Sequence, residues 1–213
     1  MNLVNPTQSI QFFTFAFMSD KFNIKPKFIP IPPLFHSDLT QEPFKQCVNC
    51  NKDLQQPGTP YMIEKAFVQT QPHRTRSTIL EYAMCIDCWE EKKKTLSVES
   101  LEQINAYFAQ YVDLEKRYKS LEDRDDFNDW LTECFVSGEK VETMKEFQVA
   151  CQCDGPWMAL HYFPYALSGA VADELMERLS AKTLGEMDDF KRKLTTPSPD
   201  LEELFGRKKP LFV

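Results

Sequence analysis

Glycine is scarce in this chain of 213 residues, with six in all, and no G-x-G-x-x-G or G-x-x-x-x-G-K-[ST] run occurs. That absence removes the two Gly-rich phosphate loops from consideration. Histidine is scarcer still, at three residues, which is thin material for acid–base chemistry near neutral pH. No HExxH, nucleophile elbow or paired-carboxylate motif is found. No apolar run approaches the ~20 residues that a membrane span needs, and the mean hydropathy is −0.44, so no membrane association is expected. A secretory leader wants a positive start and a small-residue cleavage site; here no Lys or Arg precedes Lys21, and Pro6 and Asp20 bracket the apolar stretch Phe12 to Met18. Met18 offers a second start, which would leave 1–17 untranslated, and Met1 and Met18 both stay open.

What is present is acidic, aromatic and unevenly charged. Twenty-five Lys and Arg face 32 Asp and Glu, a net charge of −7, and aromatics make up 13%. Residues 1–44 carry three basic and three acidic side chains, 45–100 eight and seven, and 101–213 fourteen and 22. The whole deficit therefore sits in the last half. A broad nucleic-acid face there is disfavoured, because phosphate neutralisation needs clustered Lys and Arg.

Between Lys21 and Pro43 the chain carries Pro26, Pro30, Pro32, Pro33 and Pro43. Each proline fixes φ and removes a donor, so an extended arm is expected rather than a helix. Phe22, Ile24, Phe28, Ile29, Ile31, Leu34 and Phe35 make it too apolar for an inert linker. The arm either lies across the protein's own core or docks into a partner's groove.

Seven cysteines are present, and four form a pattern. Cys47-Val-Asn-Cys50 and Cys85-Ile-Asp-Cys88 make C-x2-C-x34-C-x2-C. Two thiolates separated by two residues can close on one ion, and two such pairs complete the four-thiolate shell that zinc prefers. Tyr61–Val68 and Thr78–Met84 read as strands, with Pro57-Gly58 as a turn and a polar loop over 69–77. The second pair runs into Trp89–Lys94, which reads as a helical turn.

Knuckle, hairpin and a second pair at a helix start together resemble treble-clef or zinc-ribbon modules over residues 45–95. The resemblance implies one structural Zn2+ on Cys47, Cys50, Cys85 and Cys88. Asn51 stands where a glycine often follows the first knuckle. Disulfides would suit an exported chain, but the cysteine count is odd and no export signal is seen. A thioredoxin-like pair needs a βαβ context that the hairpin does not supply. A catalytic zinc keeps an open position, whereas four thiolates close the shell. A reducing, cytoplasmic setting fits best. His73, Arg74, Arg76 and Lys92–Lys94 could form a small phosphate-contacting patch, but no aromatic interleaves the run as base stacking requires, and Glu90 and Glu91 lie beside the lysines, so ordinary surface charge is expected.

Helix signals dominate the acidic half. Ser97 caps a stripe of Leu101, Ile104, Phe108, Tyr111 and Leu114 that continues through Glu115, Lys116 and Arg117. A short helix is expected over Asp126–Phe135, then a strand over Phe147–Cys153 with an aromatic continuation from Trp157 to Tyr165. Ser168 and Ser180 each cap a further helix, to Leu179 and Leu194. Ser198-Pro199-Asp200 and Gly206 bracket a last turn. Cys134, Cys151, Cys153 and His161 could assemble a second metal site, yet C-x-C is poor zinc spacing, and free cysteines are commonly buried as small hydrophobes.

The expected architecture is α+β. It comprises an arm over 1–44, a zinc-stabilised β-hairpin module over 45–96, and a mainly helical region over 97–213 with one or two short strands. The expected function is that of a protein-interaction or adaptor module without catalytic activity, acting through a protein partner. The alternatives are a nucleic-acid-associated zinc module and an enzyme with a site near Cys151 and His161.

Overall fold

Residues 25–70 and 75–195 are described by the computed structural model of the protein. The central element is a six-stranded antiparallel sheet. Its strands are β1 (Lys27–Pro30), β2 (Pro60–Thr70), β3 (Thr75–Cys85), β4 (Glu146–Asp154), β5 (Trp157–Leu160) and β6 (Tyr165–Ser168). The order is β1-β5-β4-β2-β3, and β6 pairs with the edge of β4 away from β2. The hairpin β2–β3 is thus not a free-standing unit: β2 also pairs with β4 from Pro60↔Asp154 to Val68↔Glu146. The sheet runs across the boundary at residue 96 that composition suggests, and one cluster of buried side chains spans both sides of it.

Among the described residues, the region after 97 contributes three strands rather than one or two. The reason is visible in β6, where Tyr165, Ala166, Leu167 and Ser168 are all buried, so neither face is marked as the outer one. A strand covered on both faces loses the alternation that sequence reading looks for. The proline-rich arm supplies the edge strand β1, paired with β5 from Lys27↔Leu160 to Pro30↔Trp157. Ile31 and Phe35 beyond it are buried in the core. Residues 1–24, which hold Met18 and the apolar stretch, and 196–213, which hold Ser198 and Gly206, lie outside the described residues.

Among the described residues, five helices complete the fold: α1 (Ile86–Thr95), α2 (Val98–Tyr111), α3 (Leu114–Leu121), α4 (Gly169–Met176) and α5 (Ala181–Thr195). The expected single helix through Glu115–Arg117 is broken after Tyr111. Asp113 starts α3 instead, its carboxylate accepting the Lys116 backbone N–H at 2.9 Å. An aspartate that can cap competes with the helix interior. Over Asp126–Phe135 only a 3-10 turn forms, Phe127–Leu131, with Asp126 capping it through the Asn128 N–H.

Ser97 and Ser180 cap α2 and α5 against each other. Each hydroxyl accepts an N–H of its own helix, from Ser100 at 3.1 Å and Thr183 at 3.3 Å. The reciprocal bonds are exchanged: Ser97 N–H donates to Thr183 Oγ1 at 3.0 Å, and Ser180 N–H donates to Ser100 Oγ at 2.9 Å. In a capping box those bonds stay within one helix. Here the swap fastens residues 97 and 180 together and closes the helical layer.

The middle of β2 carries two charged residues, Glu64 and Lys65, that are 6% and 2% exposed. Buried charges survive only when paired and hydrogen-bonded. They point to opposite faces, as successive strand residues must. Glu64 accepts the Tyr82 hydroxyl at 2.6 Å, on the face where the Phe190 ring of α5 meets Tyr82 edge-on at 5.2 Å. Lys65 donates to Asp38 at 2.6 Å and to the His36 carbonyl at 2.7 Å, and pairs with Glu81 at 2.9 Å. That cluster bolts the arm onto the other face.

Candidate metal centre

Two local structures bring the four cysteines together. Residues 47–52 fold into a tight turn, closed by Asn51 N–H to the Cys47 carbonyl and Cys47 N–H to the Lys52 carbonyl, both at 2.9 Å. Asn51 adopts φ +60°, a left-handed conformation that Asn tolerates better than most residues with a side chain. It therefore does the work of a glycine at that position. Val48 N–H donates to the Ala83 carbonyl at 2.9 Å and ties the turn to β3. Cys85 ends β3 and Cys88 lies in the first turn of α1, so the strand-to-helix junction presents the second pair.

The four sulfurs lie within 4.8 Å of one another. Cys50 Sγ and Cys85 Sγ are 3.7 Å apart. In a tetrahedral site with Zn–S near 2.3 Å, the edge between sulfurs is about 3.8 Å. The donor set thus fits a tetrahedral thiophilic ion. Cys47 and Cys85 are buried, Cys88 is half-buried and Cys50 is exposed, which sets the centre at the rim of the core.

Polar neighbours support the sulfurs. Cys85 N–H donates to Cys47 Sγ and the Asn49 amide to Cys88 Sγ, both at 3.4 Å. Burial raises the Cys47 pKa, but backbone donors from Cys85, Asn49 and Cys50 outweigh it and bring the thiol to about 7. Burial and then hydrogen bonding with the neighbouring thiols push Cys85 up to about 12. Four adjacent thiolates repel, and a dication offsets that repulsion. Lys52 and Asp87 form an ion pair at 2.6 Å that links the turn to α1. Asn49 and Lys52 were not singled out by the cysteine spacing; their roles depend on the other pair arriving from 35 residues away in sequence.

The other candidate residues do not converge on a second centre. Cys134 Sγ accepts the N–H of Ser168 at 3.3 Å and of Ser137 at 3.5 Å. Cys151 and Cys153 lie with sulfurs 3.7 Å apart, both buried. Among the described residues, Cys47, Cys50, Cys85 and Cys88 are the one group of three or more His, Cys, Asp or Glu placed to hold a metal. Trp157 lines a separate surface cleft with Phe28, Pro57, Gly58 and Asp154. Of the basic candidates, Lys92, Lys93 and Lys94 each meet a carboxylate, Glu186, Glu90 and Glu91 at 2.6–2.8 Å; His73 and Arg74 lie outside the described residues.

His161 is held as a neutral ring. Phe163 N–H donates to Nδ1 at 3.3 Å, leaving Nε2 to donate to Gln152 Oε1 at 3.0 Å. Burial lowers its pKa to about 4. The unfolded chain takes up this proton near pH 6.5 and the folded protein only near 4, so His161 favours folding above pH 6.5 and that contribution is lost as pH falls through this window. We predict that wild type loses about 2–4 kcal/mol between pH 7 and 4 from this group, and that His161→Gln lacks that component. Urea unfolding of both proteins across the range tests it; identical pH slopes would sink the prediction.

No helix among the described residues is long and apolar enough to cross a membrane. No protein-family model, curated protein or solved structure matches the chain.

Proposed function

We propose that Cys47, Cys50, Cys85 and Cys88 bind one structural Zn2+ and that the protein is an interaction or adaptor module without catalytic activity. The mutual placement of the four sulfurs within 4.8 Å supports this. A four-thiolate shell has no open position for substrate or water, so the ion would organise the chain rather than do chemistry. A turn with the first pair, then the hairpin β2–β3, then α1 with Cys88 in its first turn follows the order of a treble-clef-like module. Val48 projects from the first turn with 41% of its surface exposed, an apolar contact for a protein partner beside the metal. The carboxylate partners of Lys92–Lys94 weigh against a nucleic-acid surface. The seven unpaired thiols suit a reducing compartment such as the cytoplasm.

Metal analysis of untagged protein by inductively coupled plasma mass spectrometry tests the centre. The expected result is one zinc per chain in wild type and none in Cys50→Ser. Absence of stoichiometric zinc from wild type would overturn the proposal. Co-purification from the native host tests the adaptor role, which requires a stoichiometric protein partner; a chain recovered alone under mild conditions would count against it.

A further inference from the structure

On the face of the sheet that carries Lys65, at the opposite end of the β2–β3 hairpin from Cys85, a cavity of about 450 Å3 opens between the end of that hairpin, the arm and the segment before β4. Five apolar side chains line it: Leu34 from the arm, Leu131 and Val141 from the segment, and Phe147 and Val149 from β4. Two basic residues, Arg76 and Lys140, also line it. The Arg76 guanidinium lies over the rings of Phe67 at 5.3 Å and Phe147 at 5.0 Å, and those rings stack on each other at 5.2 Å. Cation–π attraction to both rings holds the guanidinium in place, and its N–H groups remain available as donors.

Arg76 meets no carboxylate among the described residues. Partial burial alone lowers its pKa. The other charged groups in the lining are engaged: Lys140 pairs with Glu133, and Glu142 has an interaction of its own. Arg76 is exposed on β3, so its guanidinium is reachable from the cavity mouth and can take up a ligand's charge. A cavity of this size, with an apolar side of five residues and a few convergent polar groups, has the make-up of a small-molecule site.

We propose that this cavity binds a small organic carboxylate, with the carboxylate bridged by the Arg76 fork and the hydrocarbon body against Leu34, Leu131 and Val141. Lys140 is held by Glu133, so the cation left for a ligand in the lining is the one guanidinium, which matches the single charge of a carboxylate. Asn128 and Thr132, also in the lining, supply the neutral polar groups that orient a bound carboxylate. This site is independent of the metal centre.

Isothermal titration of the full chain with octanoate, and separately with octanamide, tests the proposal. Octanoate should bind saturably and octanamide at least about tenfold more weakly, since the two differ in the charge that the guanidinium recognises. Arg76→Met keeps the stem over the two rings and should lower octanoate affinity by a similar factor. Comparing the two ligands on wild type needs no variant, so misfolding of Arg76→Met cannot mask the result. No saturable octanoate binding, or equal binding of acid and amide, would overturn the proposal. A dianionic probe, octyl phosphate, binding more tightly than octanoate would overturn the choice of a carboxylate.

Discussion

Cys47→Ser should abolish binding of the proposed zinc and lower the thermal midpoint by roughly 10–20 °C, the largest effect expected of any single substitution. On the proposed zinc reading, a structural ion contributes an apparent ~10–16 kcal/mol in zinc-finger peptides. Even a loss on the order of 5 kcal/mol moves the midpoint that far in a domain of this length. Cys47 is the most demanding position of the four because it is fully buried and its sulfur also accepts the Cys85 N–H. Loss of structure should begin around residues 47–54 and α1. The sheet should survive longer, because β2 holds β4 through a register of nine pairs that involves no metal. Hydrogen exchange on wild type, before and after chelation, would show this order. Uniform exchange across sheet and turn, or an unchanged midpoint in Cys47→Ser, would contradict it.

Lys65→Ala is expected to cost about 3–5 kcal/mol, the figure for removing one partner of a buried ion pair. Its ammonium sits at 2% exposure between Asp38 and Glu81. Most of the cost comes from Glu81, which is 18% exposed and would be left with a buried charge facing the gap. Asp38 is half-exposed and can turn to water, so its share is small. Glu81 also accepts the Ser37 hydroxyl and the Asp38 N–H, both at 2.9 Å. Loss of Lys65 should therefore loosen the arm as well as the sheet. Limited proteolysis in the segment 36–42 should accelerate in the variant, and Lys65→Ala combined with Glu81→Gln should recover part of the stability. If the double variant is no more stable than the single one, a stranded carboxylate is not the cause.

The two effects differ in how visible they are beforehand. The cysteine pairs announce themselves by spacing, because two residues between thiolates is a local geometric requirement. Lys65 carries no such signal. A Glu-Lys pair inside an apolar run reads as exposed charge, and only the approach of residue 38 along the arm reveals why lysine is tolerated there.

Other elements divide in the same way. The strands over 61–68 and 78–84, the caps at Ser97, Ser168 and Ser180, and the extended character of the arm were legible in the sequence, since they depend on propensity, capping chemistry and proline. The break after Tyr111 was not, because the apolar stripe runs through Leu114 and only the competing Asp113 cap interrupts it. The cavity beside Arg76 was likewise hidden. An arginine at the end of a hairpin reads as surface charge until Phe67 and Phe147 are seen stacked beneath it.

By itself, then, the sequence determined which four cysteines cluster, the mixed class of the fold and the charge asymmetry. These follow from short-range spacing and composition. Tertiary structure alone decided that the hairpin and the acidic half share one sheet, that the arm closes its edge, and which charges are paired. Those outcomes depend on strand register between residues some 90 positions apart, such as Ile63 and Cys151, and no local pattern encodes a partner at that distance.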